Sequence, residues 1–252
     1  MRDGTVGTGW VRAAAVGLVA LLVPLGWAPA AGAAPNPPCD RVDLSYGTRL
    51  ADQHVRCVLR VNAHLNLEVT SDPAWSFVVR RDGAAGQAFR EPTDAIGETG
   101  VVPLLQDIDD DGIPELLVVT GRGGSGGEPM AVWRLADQTQ QFVRAGDLFG
   151  KRLFYRTPEG FFGNYAHASA MSGGVTLYRW ANNTLTEVAV LEMAVAADRP
   201  PADRPDWVRN GNTLCALSSG DQGAALRAAG IDPGTAQQRF CSQPWVATVY
   251  RG

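Results

Sequence analysis

Positive charge is in short supply in this chain of 252 residues: 22 Lys and Arg face 26 Asp and Glu, for a formal net charge of −4. That balance leaves no basic footprint for a phosphodiester backbone, so nucleic acid is not an expected partner. Lysine is nearly absent, Lys151 standing alone against arginine everywhere else, a bias that reads as codon usage and assigns no function. Beyond the N-terminal region no apolar run approaches the ~20 residues that cross a bilayer. Cysteine and histidine are scarce as well: Cys39, Cys57, Cys215 and Cys241 contain no C-x-x-C pair, and His54, His64 and His167 are the only histidines, which argues against a zinc site. Hydrophobic residues, by contrast, make up 45% of the chain, enough to bury a real core and to exclude disorder throughout. With no internal repeat or low-complexity tract, the length supports one sizeable domain with attachments, or two small ones.

The N-terminal segment reads as an export signal and not as part of the fold. Arg2 and Arg12 precede the apolar run from Ala13 to Trp27, and Ala31-Gly32-Ala33 supplies the small-x-small pattern for cleavage after Ala33. An uncleaved anchor is the weaker reading, because Pro24 interrupts a run already shorter than a bilayer needs. A lipid anchor is disfavoured too, since Asn36-Pro37-Pro38 and not small residues precede Cys39. Removal of residues 1–33 leaves a secreted or envelope-located chain with no expected membrane span. Four cysteines in an oxidising compartment predict two disulfides, and of the three connectivities Cys39–Cys57 with Cys215–Cys241 is favoured, each closing a local loop at opposite ends of the chain. Each bridge is expected to stabilise by about 3 kcal/mol.

From Val55 to Met193 the chain runs in short β-branched and aromatic stretches broken by Gly, Pro, Asp or Asn, which predicts a mainly β fold. Candidate strands are 54–61, 65–70, 75–81, 115–120, 131–135, 142–145, 152–156, 175–180 and 185–192. In Val175-Thr-Leu-Tyr-Arg-Trp180 the alternation puts Val175, Leu177 and Arg179 on one face and Thr176, Tyr178 and Trp180 on the other, with the aromatics read as cross-strand packing. The proline-dense stretch 199–206 reads as a linker between an all-β domain (34–198) and a C-terminal segment (207–252). Two short helices are expected in that segment, 219–229 and 233–240, with Ser219 or Asp221 and then Asp232 before Pro233 as start signals. Too small to hold a core alone, it is expected to dock on the sheet under the Cys215–Cys241 bridge. The predicted architecture is an antiparallel sandwich or propeller-blade-like module with this helical, disulfide-pinned tail.

The densest chemistry lies in Asp107-Ile-Asp-Asp-Asp-Gly-Ile-Pro-Glu115. In a tightly wound loop alternate residues turn toward one centre, so Asp107, Asp109 and Asp111, the Ile113 carbonyl and Glu115 together can supply the oxygens that calcium takes. Without a cation, carboxylates held this close repel one another. An EF-hand is excluded by Val118 at the position of the bidentate Glu and by strand-like sequence where a helix should follow. An acidic, solvated turn without an ion is the plainer alternative. Asp94 with Glu98, or Asp107 with Glu115, could form a glycosidase-like acid and base pair, but an aspartate-rich loop is better explained by a metal.

On Asp107, Asp109, Asp111, Gly112, Glu115 and Leu116 the loop resembles the calcium loop D-x-D-x-D-G-x-x-[DE]-L of the FG-GAP and VCBS families, familiar from integrin-type propeller blades. It departs at Asp110, where those families carry Gly. The resemblance spans about a dozen residues and implies bound Ca2+ in a loop of that type; one copy does not imply a ring of blades.

After the next strand comes Gly121-Arg-Gly-Gly-Ser-Gly-Gly127, then Glu128-Pro129. Gly121, Gly123 and Gly126 spell G-x-G-x-x-G, and Gly123, Ser125 and Gly127 spell G-x-S-x-G. The first must open a helix in a βαβ unit; the second needs a strand, a turn, a helix and a later acid and histidine. Strand-like sequence after Pro129 opposes both, so no enzyme is expected, and a serine hydrolase using Ser125 is retained only as an alternative. A loop this rich in glycine is expected instead to protrude as a flexible tip. Acidic loop, apolar strand, glycine-serine loop and aromatic strand together resemble the periplasmic inhibitors of invertebrate-type lysozyme and related immunity proteins that guard bacteria from wall-cutting toxins. That resemblance implies partner binding by Gly121, Arg122, Gly123, Gly124, Ser125, Gly126 and Gly127, with a lysozyme-like cell-wall hydrolase as the partner. It departs where the inhibitor's loop carries a tyrosine beside its serines and this chain has Glu128-Pro129. The sequence reading is therefore an exported, calcium-binding, non-enzymatic recognition module, with a wall-associated adhesion module as the alternative. His54 and His64 are read as half-buried strand residues, and Asn182-Asn183-Thr184 as a chance glycosylation pattern.

Overall fold

The computed structural model describes residues 36–44, 52–71, 74–92, 101–121, 123, 127–196 and 206–250. The expected signal segment 1–33, nearly all of the 199–206 linker, the Asp94 and Glu98 pair, and loop residues Arg122, Gly124, Ser125 and Gly126 lie outside the described residues.

Three antiparallel meanders follow one another along the chain. The first joins β1 (Arg56–Arg60), β2 (Leu65–Ser71), β3 (Trp75–Arg81) and β4 (Ala84–Glu91) in sequence order. The second joins β5 (Leu104–Gln106), β6 (Glu115–Val119), β7 (Glu128–Ala136) and β8 (Gln141–Gly150). The third runs through β9 (Phe154–Arg156), β10 (Phe162–Ser169), β11 (Ser172–Ala181) and β12 (Thr184–Val195). Beyond the linker, β13 (Val208–Asn210) and β14 (Thr213–Leu217) extend that third sheet, β14 pairing with β12. The tail then forms α1 (Gly223–Ala228), α2 (Pro233–Cys241) and a 3-10 helix over Pro244–Thr248. The fold is mainly β, as the texture of the sequence predicts; β4, β5, β10, β13 and β14 were not among the expected elements.

Alternation decides which face each strand buries. In β2, Leu65, Leu67 and Val69 are fully buried while the residues between them reach the surface. These side chains meet Trp75, Phe77 and Val79 of β3 and, from the second sheet, Leu116, Val118, Ala131, Trp133 and Phe142. The intervening Leu117, Val119, Met130 and Val132 point the other way, onto Phe154 and Phe162 of the third sheet. Every residue of β6 is therefore buried, which is why Glu-Leu-Leu-Val-Val reads as one run and not as an alternation. Within β11, Val175 and Leu177 pack under the helices against Leu226, Ala236 and Phe240. Tyr178 and Trp180 face the second sheet, so the sides fall as the alternation predicts. A bulge opposite Leu177 and Tyr178 interrupts the pairing with β12 at that changeover.

Turn chemistry sets the registers. Asp82-Gly83 and Asn182-Asn183 both have positive φ, at 47° and 84° and at 51° and 61°, the backbone a two-residue hairpin of the right twist needs. The asparagine pair thus has a structural use at the β11–β12 turn. Asp232 caps α2 through Gly234 N–H, and Asp221 accepts from Gly223 N–H at 3.0 Å before α1. Cys39–Cys57 and Cys215–Cys241 are both joined as expected, the first tying the N-terminal turn to β1 and the second tying β14 to α2. Buried Glu91 at the end of β4 accepts from Trp133 Nε1 at 2.9 Å and from Arg144 Nε at 3.0 Å, fastening the first sheet to the second with charge-assisted bonds. His54 and His64 depart from the expected strand positions: both are exposed and precede β1 and β2, His64 pairing with Asp82 at 2.8 Å.

Candidate metal centre

The acidic loop links β5 to β6 and is wound by its own carboxylates. Asp107 accepts from Asp110 N–H at 2.7 Å through Oδ1 and from Gly112 N–H at 2.9 Å through Oδ2. Asp111 Oδ1 accepts from Ile113 N–H at 2.8 Å. Ile108 is fully buried and anchors the loop in the second core. The winding passes through Asp110 at φ 69° and Gly112 at φ 86°. Asp110, the position that departs from the FG-GAP and VCBS pattern, thus sits in the left-handed region that glycine enters freely and aspartate tolerates better than most side chains.

This winding brings one oxygen each of Asp107, Asp109 and Glu115 within 4.8 Å of one another. Two oxygens on opposite sides of one calcium, each ~2.4 Å from it, would be about that far apart. Glu115 opens β6 with none of its surface exposed; its Oε2 accepts from Ile108 N–H at 3.2 Å, and its Oε1 has no hydrogen-bond donor. Asp109 Oδ1 is likewise buried without a donor. Burial pushes the Glu115 carboxyl up to about 8, the Ile108 N–H opposing this and the Asp109 charge adding to it.

A guanidinium sits against the same cluster. Arg134 of β7, whose side chain is 13% exposed, donates Nη1 to Asp109 Oδ2 at 3.2 Å and Nη2 to Asp111 Oδ2 at 2.7 Å, and approaches Glu115 Oε1 to 3.5 Å. Its plane lies 4.3 Å from the centre of the Trp180 ring, a cation–π contact, while Trp180 Nε1 donates to Asp109 Oδ2. Arg156 at the end of β9 donates to the Asp107 carbonyl at 2.7 Å. The site therefore lies in the seam between the second and third sheets. Of the residues expected to act together, Asp107, Asp109 and Glu115 converge, Asp111 turns to Arg134, and Ile113 gives its N–H to Asp111 and its side chain to the first core. Arg134, Trp180 and Arg156 were not foreseen, although a charged residue within Met130-Ala-Val-Trp-Arg-Leu135 is itself a sign of a counter-charge nearby.

The glycine loop leaves from the opposite end of β6, about 16 Å along the strand. Its neck is closed by Thr120 N–H to the Pro129 carbonyl at 2.9 Å and Gly123 N–H to the Gly127 carbonyl at 2.7 Å. The half-exposed ring of Phe149 lies against Gly123 and Gly127 so closely that a Cβ at Gly127 would come within 2.7 Å of it. The chain re-enters a strand at Glu128, so neither glycine pattern opens the helix that dinucleotide binding or a nucleophile elbow requires.

No protein-family model and no curated protein matches this chain. A solved structure described as that of a Xanthomonas Type IV secretion system related protein is similar over 60% of this chain and 87% of its own, at 12% identity and a TM-score of 0.40. No helix among the described residues is long and apolar enough to cross a membrane, and the two disulfides fit an oxidising compartment.

Proposed function

We propose that the Asp107–Glu115 loop is a structural calcium site in an exported, non-enzymatic recognition module. The observation that carries this reading is that the buried Asp109 Oδ1 has no hydrogen-bond donor and the buried Glu115 Oε1 has only the Arg134 guanidinium 3.5 Å away, in a trio of carboxylates whose oxygens lie within 4.8 Å of one another. Buried acceptors without partners are rare in folded proteins and call for an ion or water. A bound divalent ion would supply the positive charge that the Arg134 guanidinium cannot supply alone to Asp107, Asp109, Asp111 and Glu115. Asp107 would serve the ion and the loop backbone together, while Arg134 holds Asp109 and Asp111 in place from the side. Export fits the signal-like N-terminus and the two disulfides. The glycine loop, whose neck at Gly123 and Gly127 is braced by Phe149, has the composition of an insertion loop, and the resemblance to lysozyme inhibitors makes a cell-wall hydrolase the partner to try first.

Thermal unfolding with and without calcium tests the metal. At ten times its dissociation constant calcium is expected to add about 1.4 kcal/mol and raise Tm by about 3–5 °C, and chelator to reverse this. Glu115→Gln keeps the acceptor for Ile108 N–H and the shape of the side chain, so it should fold in chelator like the parent yet lose the calcium response. An unchanged response in that variant, or none in the parent, removes the metal from the account. Recognition is tested separately, by assaying inhibition of a lysozyme with the parent and with residues 121–127 replaced.

A further inference from the structure

We propose that the outer face of the first sheet carries a second ligand site, a cleft that takes a phosphate group. The register of the four strands aligns Arg56 with Thr70, Thr70 with Ser76, and Ser76 with Arg90. The flanking residues Cys57, Val69 and Phe77 point into the core, so this row points away from it. Two arginines thus stand on the outer strands, with two hydroxyls on the strands between them.

Strand spacing puts the two arginine backbones about 14 Å apart, and two guanidinium arms from opposite sides reach a common centre above the hydroxyls. The side chains do border one space: a cleft of about 280 Å³ is lined by Arg56, Thr70, Ser76 and Arg90, with His54 and Ser71 on its wall. His54 holds its place there from a left-handed backbone, φ 46°. Ser71 is already engaged, its Oγ accepting from Val55 N–H at 2.9 Å. Arg56 and Arg90 make no hydrogen bond or ion pair among the described residues, whereas Arg80 on the same face is paired with Glu68 at 2.6 Å. In a protein of net negative charge, two arginines that border one cleft with no carboxylate paired to them among the described residues favour an anion there.

The donors select the ligand. Two planar forks from opposite flanks and two hydroxyls from below suit an anion that presents oxygens in several directions, which a tetrahedral phosphate does and a planar carboxylate does less well. The size is at the lower limit for a small-molecule pocket and the cleft is open, so it fits inorganic phosphate or the terminal phosphate of a larger molecule.

Calorimetric titration at constant ionic strength and in chelator, which keeps the acidic loop out of the measurement, tests this with inorganic phosphate, glycerol phosphate and acetate. Phosphate is expected to bind at millimolar concentration or better, and acetate more weakly. Equal or tighter binding of glycerol phosphate identifies a phosphomonoester as the source, and weaker binding identifies the free ion. Arg56→Gln and Arg90→Gln should each weaken binding by at least about tenfold, while Arg60→Gln, on the same face but outside the cleft, should leave it intact. The site is disproved by the absence of heat with phosphate, by acetate binding as well as phosphate, or by loss in Arg60→Gln equal to that in the cleft variants.

Discussion

At the scale of single residues, Arg134 decides how the acidic loop behaves. It touches Asp109, Asp111 and Glu115 and stacks on Trp180, so it already does part of what a metal would do, and from a fixed direction. Arg134→Met should therefore cost about 1.5–3 kcal/mol in chelator, the range for hydrogen bonds to charged groups, and less in calcium, because the added ion then meets unopposed carboxylates. Urea unfolding of parent and variant in both media reads this out; equal losses in calcium and chelator would show that the arginine acts only through packing. This residue also marks a limit of sequence reading. The acidic spacing from Asp107 to Glu115 announces a cluster, but which cation faces it depends on β7 and β11 coming to the same end of the seam, a matter of topology and not of spacing. Asp110 is the converse case: the family pattern carries Gly at that position, and the chain takes there the left-handed backbone that glycine enters freely.

At the scale of elements, strands with strong alternation were legible and weakly patterned ones were not. Leu65–Ser71 and Trp75–Arg81 stand out because β-branched and aromatic residues alternate between turn signals. Strand β4 lies mostly exposed and consists largely of Ala, Gly, Gln and Arg, so only the Asp82-Gly83 turn betrays it. Strands β13 and β14 follow a proline-dense stretch and are recognisable only by their pairing with β12. The glycine loop, read from sequence as flexible throughout, has a neck set by contact. Gly127→Ala would drive its new methyl into Phe149, which can swing outward because it is 46% exposed. A cost of about 1 kcal/mol is expected, relieved in a Phe149→Ala background. Gly123→Ala instead meets the Gly127 carbonyl at 2.7 Å and should stay costly in both backgrounds. A double-mutant cycle on Tm separates the two, and equal relief would contradict the contact geometry.

At the scale of the whole molecule, three sheets and a helical layer are stacked with a disulfide near each end of the chain. Cys39–Cys57 spans 18 residues and Cys215–Cys241 spans 26, so each is expected to contribute about 3 kcal/mol. Replacing both cysteines of the second bridge by serine should also free α2 from β14, exposing Phe240 and Ala236 ahead of the main transition and lowering that transition's denaturant dependence, whereas the same change in the first bridge should lower stability without loosening the tail. Urea unfolding followed by helical circular dichroism distinguishes these outcomes, and an identical loss of helix in both variants would refute the division of labour. The broad class was readable at this scale because hydrophobic period and turn residues repeat locally; the stacking order was not, because it depends on which face of each meander is apolar on both sides.

The middle meander is walled in on both faces, and its two walls lie on either side of it in the chain. When the polypeptide is made or threaded from its N-terminus, the wall formed by β1–β4 is ready when β5–β8 arrive, but the one formed by β9–β12 is still to come. A greasy half-built protein must therefore wait for its last third, and the interval before that third arrives is when it is most exposed to clumping or to capture by a chaperone.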